Sequence, residues 1–518
     1  MFFNVLLNRI WRGVVAFAIA TILLLTNSLL YPSAVFAEPN EPVEFEGQRL
    51  MPIPDGVALS WDIDCFWGEP IAYGGKTFRK MGYANGQMIN FMDIEASYWP
   101  ARFRLEPGEK LTIEGDFPHS RYASFNAYGG GAPTASLFDA NIEPDPGSSN
   151  PFKQGAQRDT ADDQRHYTIY VVNEPEPEDP AELAPNTLYA RPAAAPYDIV
   201  ELRYRTYLVD QTLQEAFDQR GGVPLPVPTV LTLADGQEVP GSTLCNPDRA
   251  MAQKMFFRAI PPNSFYSEEG EEVVEGVASW WQSYPCSEAE AGEFCNDPFT
   301  APAQNPPVTE KFFGIPYSLK GLHLPPDERE TLKPGPSCEP APGFEGSADN
   351  AYLITFLNNH FGKVVQLRGH YPVTPRTYFD ATTWDESNAQ LRYWSVMSGN
   401  EIPSTQIAAG IVDEQIPINE DGYFSIVVSK PENRPKTATQ ACGHAWLDWG
   451  RRGDFTGRDG QTILAWRHTL ELNGFTQSAN SVCEAGKEQE VMGDYLPIGQ
   501  YFEDAAEFDA AVGCLATE

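Results

Sequence analysis

Much of the vocabulary of enzymes and metalloproteins is missing from this chain. No Cys-x-x-Cys occurs, which argues against a zinc ribbon or a thioredoxin-like redox site. There is no Gly-x-Ser-x-Gly, no His-Glu-x-x-His and no Gly-x-x-x-x-Gly-Lys-Ser/Thr phosphate loop. The Gly129-Gly130-Gly131 run lacks dinucleotide spacing and reads as a turn. Positive charge is scarce: 36 Lys and Arg stand against 71 Asp and Glu, a net −35. Such a surface repels nucleic acid and anionic lipid. Beyond residue 37 no stretch is apolar enough to cross a bilayer.

The first 37 residues are different. Arg9 and Arg12 precede an apolar run from Val14 to Leu25, and Val35 and Ala37 place small residues before a cleavage point. That pattern is an export signal, outside the fold. Export puts the mature chain in the periplasm or outside the cell, with no membrane span after cleavage. The alternative is an uncleaved anchor, since Gly13 to Leu30 nearly spans a bilayer. Eight cysteines, an even number in an exported chain, favour disulfides. Cys286 with Cys295, bracketing an acidic loop, is the first expected pair, and Cys442 with Cys483 the second.

With 45 Pro and 42 Gly, turns and short strands are favoured over long helices. An internal repeat then sets the architecture. Tyr98, Gly108, Gly115 and Pro118 find Tyr352, Gly362, Gly369 and Pro372 at one constant offset. Arg121 and Tyr122 match Arg392 and Tyr393, and Asp139 matches Asp413. Tyr167 is set against Tyr423, and Leu202, Arg205 and Leu208 against Leu464, Arg467 and Leu470. A collinear series of this length points to duplication. The matched blocks are short and rich in aromatic and β-branched residues, as strands are.

The expected fold is therefore mainly β: two tandem, duplicated, jelly-roll-like β-sandwich halves joined by a helical, disulfide-pinned connector. Its segments are a signal over 1–37, a first sandwich over 38–210 and a connector over 211–345. A second sandwich covers 346–475, and a C-terminal segment 476–518. Helices are expected near 210–222, 246–260 and 271–284, and irregular chain over 286–346.

The phrases PHSRYASFNAY, NEDGYFSIVVSKPENRP, CGHAWLDWG and VMGDYLP resemble an uncharacterised family of exported bacterial proteins. More distantly the chain resembles paired β-sandwich domains of unknown function. In those an Asp-Gly strand, an Asn-Trp-Leu turn and a closing Arg-x-Tyr strand recur. The matching positions are Asp421 and Gly422, Trp446 and Leu447, and Arg467. The departures are His444 and Ala445 ahead of Trp446, and Thr469 in place of the tyrosine. The resemblance implies export and a sandwich fold, and it brings no catalytic residues.

Duplication also sorts the candidate residues. Those present in both copies, Arg121 and Arg392, Arg205 and Arg467, Asp139 and Asp413, read as framework. An Arg inside an apolar strand must be paired or stacked when buried. Residues in one copy only are the better functional candidates. His119 has no counterpart, and His444 precedes Asp448, so each suggests a general base. Asp64 and Asp93 lie among aromatics, as carboxylates of a glycan site do. Trp67, Tyr98, Trp99 and Asn126 are the candidate binding side chains. Asp139, Asn141 and Asp145 offer oxygen ligands for calcium without an EF-hand pattern. No cofactor is expected, and the partner is an unknown small molecule or glycan. Two readings follow: a non-catalytic ligand-binding or envelope-associated protein, or an extracytoplasmic glycan hydrolase.

Overall fold

The computed structural model describes residues 43–45, 48–50, 66–67, 93–129, 132–158, 161–190, 199–210, 220–246, 248–249, 302–324, 326–339, 346–377, 387–399, 407–450 and 460–515. Residues 1–60 form one compact unit, whose described part is a hairpin of β1 (Val43–Phe45) and β2 (Gln48–Leu50). Residues 61–518 form the other. Of the three expected helices, most residues lie outside the described ones, as do Asp64, Cys286 and Cys295.

The first group of strands is β3 (Ala96–Arg104), β4 (Lys110–Asp116), β5 (Ser120–Gly129), β6 (Ala132–Phe138), β7 (His166–Val172), β8 (Thr187–Tyr189), β9 (Ile199–Val209), β10 (Val227–Thr232) and β11 (Glu238–Pro240). They build a sheet of order β3-β9-β5-β6 and another of order β11-β10-β4-β7-β8. The second group is β12 (Thr309–Lys311), β13 (Asn350–Asn358), β14 (Val364–His370), β15 (Leu391–Gly399), β16 (Ile407–Val412), β17 (Tyr423–Ser429), β18 (Ala445–Asp448), β19 (Gln461–Glu471) and β20 (Ile498–Phe502). Their sheets run β12-β13-β19-β15-β16 and β18-β17-β14-β20. The chain is mainly β. The order β3-β9-β5-β6 recurs as β13-β19-β15-β16, and β4-β7-β8 recurs as β14-β17-β18. The last pair is parallel in both.

Alternation explains the layering. In β5, Ala123, Phe125 and Ala127 enter an apolar core shared with Leu111 and Ile113 of β4 and Ile169 of β7. In β15, Trp394 and Val396 enter a second core with Leu367 of β14 and Ile426 of β17. The opposite faces, carrying Tyr122 and Tyr207 from one group and Tyr393 and Met397 from the other, pack on each other. Four sheets are thus stacked, and the two inner ones are buried on both sides.

Three sequence expectations are corrected. Cys442 is bonded to Cys514 and Cys483 to Cys338, with Cα atoms 4.3 and 4.2 Å apart, so Cys442 and Cys483 do not pair. Sulfurs pair by proximity in space, and both partners come from segments that the repeat did not cover. Secondly, the ladders set Gly115 opposite Tyr167 and Gly369 opposite Phe424. The counterpart of Tyr167 is therefore Phe424, not Tyr423. A one-residue slip exchanges the faces of a strand. The glycines explain the register: a Cβ would lie 2.6 Å from the Tyr167 hydroxyl and 2.9 Å from Phe424 Cζ. Thirdly, the stretch expected to be irregular, 286–346, is not all so. β12 joins the edge of β13, followed by α1 (Ile315–Ser318) and α2 (Pro326–Thr331). Past residue 475, α3 (Glu488–Met492), β20 and α4 (Ala505–Ala511) complete the second group.

Candidate functional site

Among the described residues, a dense array of chemically capable side chains lies between the two inner sheets. Asp139 and Asp413 each open a short 3-10 turn directly after β6 and β16. Each carboxylate accepts the first N–H of its own turn, from Ala140 at 2.5 Å and from Glu414 at 2.7 Å. Each also accepts a strand N–H, from Ala123 and from Trp394. An aspartate at such a position satisfies backbone donors that would otherwise be orphaned.

The remaining lone pairs are met from the other half of the molecule. Arg121 Nη1 donates to Asp413 at 2.6 Å, and Arg392 Nη1 donates to Asp139 at 3.0 Å. The Arg121 guanidinium also reaches Glu414 and Thr377. All four ion-paired side chains of the reciprocal contacts are at most 2% exposed. Burial pushes the Asp139 carboxyl up to about 6, the Arg392 charge offsetting part of that rise. Asp413 is raised for the same reason, with Arg121 opposing. Buried carboxylates shift this way when desolvation exceeds pairing.

A second layer of the same interface is built on tyrosines. Arg205 lies over the Tyr98 ring at 5.3 Å and donates to Asn126 at 3.0 Å. Arg467, its counterpart, lies over Tyr352 at 5.4 Å and pairs with Asp93 at 3.3 Å. Asp93 also accepts from the Tyr393 hydroxyl and from Ser395. Asp349 does the matching work in the other direction, accepting from Tyr122, Asn126 and Ser136. Asp349, Glu414 and Tyr207 are members that sequence reasoning missed. The signal for Asp349 was present, since it stands at the repeat offset from Glu95, and Leu470 N–H bonds its carbonyl as Leu208 N–H bonds that of Glu95.

The other candidates are dispersed. His444 is wholly buried: Nδ1 meets Ser425 Oγ at 2.8 Å and Nε2 meets the Gly513 carbonyl at 2.8 Å. A carbonyl only accepts, so Nε2 carries the proton and Nδ1 accepts from the serine. Burial lowers its basicity. Asp448 instead accepts the Gly450 N–H, so no His–Asp pair forms there. His119 is half-buried, its backbone tied to Gly221 and Asp210. Trp67 and Trp99 lie in the first apolar core, Tyr98 and Asn126 between the inner sheets; all four are buried rather than lining a cleft. The calcium candidates are not brought together around one point by their bonding. The Asp139 carboxylate is committed to Arg392 and two backbone N–H groups, whereas Asn141 is exposed and Asp145 bonds Thr168. No group of three His, Cys, Asp or Glu suited to a metal occurs among the described residues.

Fold and network together define a mainly β protein of four stacked sheets, joined at the centre by reciprocal Arg–Asp pairs. No family model matches the chain, and no curated protein matches it. It is similar to a solved uncharacterized protein from Burkholderia cenocepacia, at 13% identity and a TM-score of 0.37, over 74% of this chain and 75% of that one. It is also similar to the VPA0106 protein of Vibrio parahaemolyticus, at 11% identity and a TM-score of 0.33, over 83% of this chain and 96% of that one.

Proposed function

We propose that this is an exported, non-catalytic ligand-binding or envelope-associated protein, built from two duplicated β-sandwich halves. The observation that carries the reading is the commitment of its charged groups to one another. Asp93, Asp139, Asp349 and Asp413 are buried and hydrogen-bonded, and His444 has both ring nitrogens engaged. A general base must instead reach a substrate proton within about 3 Å. On this reading Arg121, Arg392, Arg205 and Arg467 are framework. The disulfides Cys338–Cys483 and Cys442–Cys514 support export, because such bonds persist in oxidising compartments.

The test is to express the full chain in a bacterium with an oxidising periplasm. The mature protein is expected in the periplasmic extract with its N-terminus just after Ala37. It should release no reducing ends from glycosides or soluble polysaccharides. Cytoplasmic retention would overturn export, and turnover abolished by Asp93→Asn would overturn the non-catalytic reading.

A further inference from the structure

Among the described residues, the outer face of the β18-β17-β14-β20 sheet is covered at one end by α4. There Val364, Val427 and Phe502 pack under Phe508 of α4. At the other end the same face carries Arg368, His370 and Tyr423, none of them buried. The His370 ring touches Tyr423 with centroids 5.2 Å apart and Tyr495 at 4.8 Å, and Tyr495 touches Phe475 at 4.9 Å. The Arg368 guanidinium lies over the Tyr423 ring at 5.0 Å. Ile498, beside Arg368 in the ladder, is 62% exposed. Gly422 makes the stack feasible: its φ of +81° favours glycine, and a Cβ there would come 3.1 Å from His370 Nε2.

Polar groups are spaced along this aromatic row. Asp494 is exposed, and its negative charge holds the Tyr423 hydroxyl above its ordinary range. Gln390 donates to the Tyr495 hydroxyl at 2.6 Å. The equivalent positions of the first half are filled differently. Where His370 faces Tyr423, Asp116 faces His166 and hydrogen-bonds its Nδ1. The framework is therefore shared and this surface is not, which singles it out from the requirements of the fold.

We propose that the row centred on Tyr423 and Tyr495 binds a neutral saccharide. The pyranose C–H faces stack on the rings, and Asp494 and Arg368 take the hydroxyls. Amphipathic rings with a few polar groups suit a ligand that is apolar on its faces and polar at its rim. The carboxylate of Asp494, on a chain of net charge −35, disfavours an anionic polymer. The proposal rests on the non-catalytic binding reading and supplies its ligand class.

Native electrophoresis of the full chain through gels containing β-glucan, xylan, starch, glycol chitin or alginate tests it. The wild type is expected to be retarded by at least one neutral polymer and not by anionic alginate. Tyr423→Ala and Tyr495→Ala should each weaken the retarding interaction about tenfold, the loss of one good ring contact. Tyr423→Phe should keep most of it, and His166→Ala all of it. Melting curves of the same samples show that the variants are folded. Retardation by no neutral polymer overturns the saccharide proposal and leaves the non-catalytic reading standing. Undiminished retardation of both alanine variants overturns the site. Cleavage of the polymer overturns the underlying reading instead.

Discussion

Arg121 and Arg392 each stand one residue ahead of a tyrosine in a strand whose neighbours are apolar, and each crosses to the other half for its carboxylate. Removing one member of a buried pair strands the other, typically at about 3–5 kcal/mol. Arg121→Ala and Arg392→Ala should therefore melt markedly lower than wild type, and by similar amounts. His119→Ala, half-buried and outside the reciprocal pairs, should stay within about 1 kcal/mol of wild type. A stable Arg121→Ala protein would contradict the framework role. Asp139 adds a pH dependence. Its folded-state value near 6 lies above its ordinary 3.8, so the folded protein holds the extra proton. Its contribution to stability thus rises as pH falls from about 7 towards 4, by about 2–3 kcal/mol. Denaturant melts of Asp139→Asn across that window should lack this part of the slope.

Strand register and helix attachment belong to the scale of elements. Gly115 and Gly369 hold equivalent places, each roofed by an aromatic ring from the neighbouring strand. Gly369→Ala forces the Phe424 ring out of a filled core and should cost about 1–3 kcal/mol. Gly236, with open space around its Cβ position, gives no such clash, but its φ of +85° favours glycine and makes it a poorer control than Gly335. Gly335→Ala should be neutral in the same melts. The C-terminal helix is held by Cys442–Cys514, by Phe508 in a small core, and by Asp509 accepting from Lys436 and Thr437. Cys514→Ser should raise hydrogen exchange over 505–511 while β14 and β17 stay protected. Unchanged exchange there would show that apolar packing alone keeps the helix docked.

For the whole molecule, each group of strands supplies the buried charge that the other pairs with. Neither half can leave without exposing its own charged partner, so calorimetry of the full chain should show one unfolding transition for residues 61–518. Two separated transitions would mean the inner sheets are only loosely coupled. The double variant Arg121→Ala with Asp413→Ala should be less damaging than the sum of its single changes, by about 0.5–3 kcal/mol, because the contact is shared.

The sequence by itself determined the mainly β class and the order of matching strands. Both depend on local pattern: short aromatic and β-branched blocks, separated by Pro and Gly, repeated along the chain. It also marked Arg121, Arg392, Asp139 and Asp413 as charges inside apolar surroundings, through their repetition. Tertiary structure alone decided that each Arg serves the other half. Strand alternation tells which residues share a face and is silent on what covers that face. The same silence hid the burial of Tyr98 and Asn126 and left the row from Phe475 to Tyr423 unnoticed, since its four rings come from four separate stretches of chain. Disulfide partners and the Tyr167 register were decided there too. Both depend on distances across sheets, where one residue or one loop changes which atoms meet.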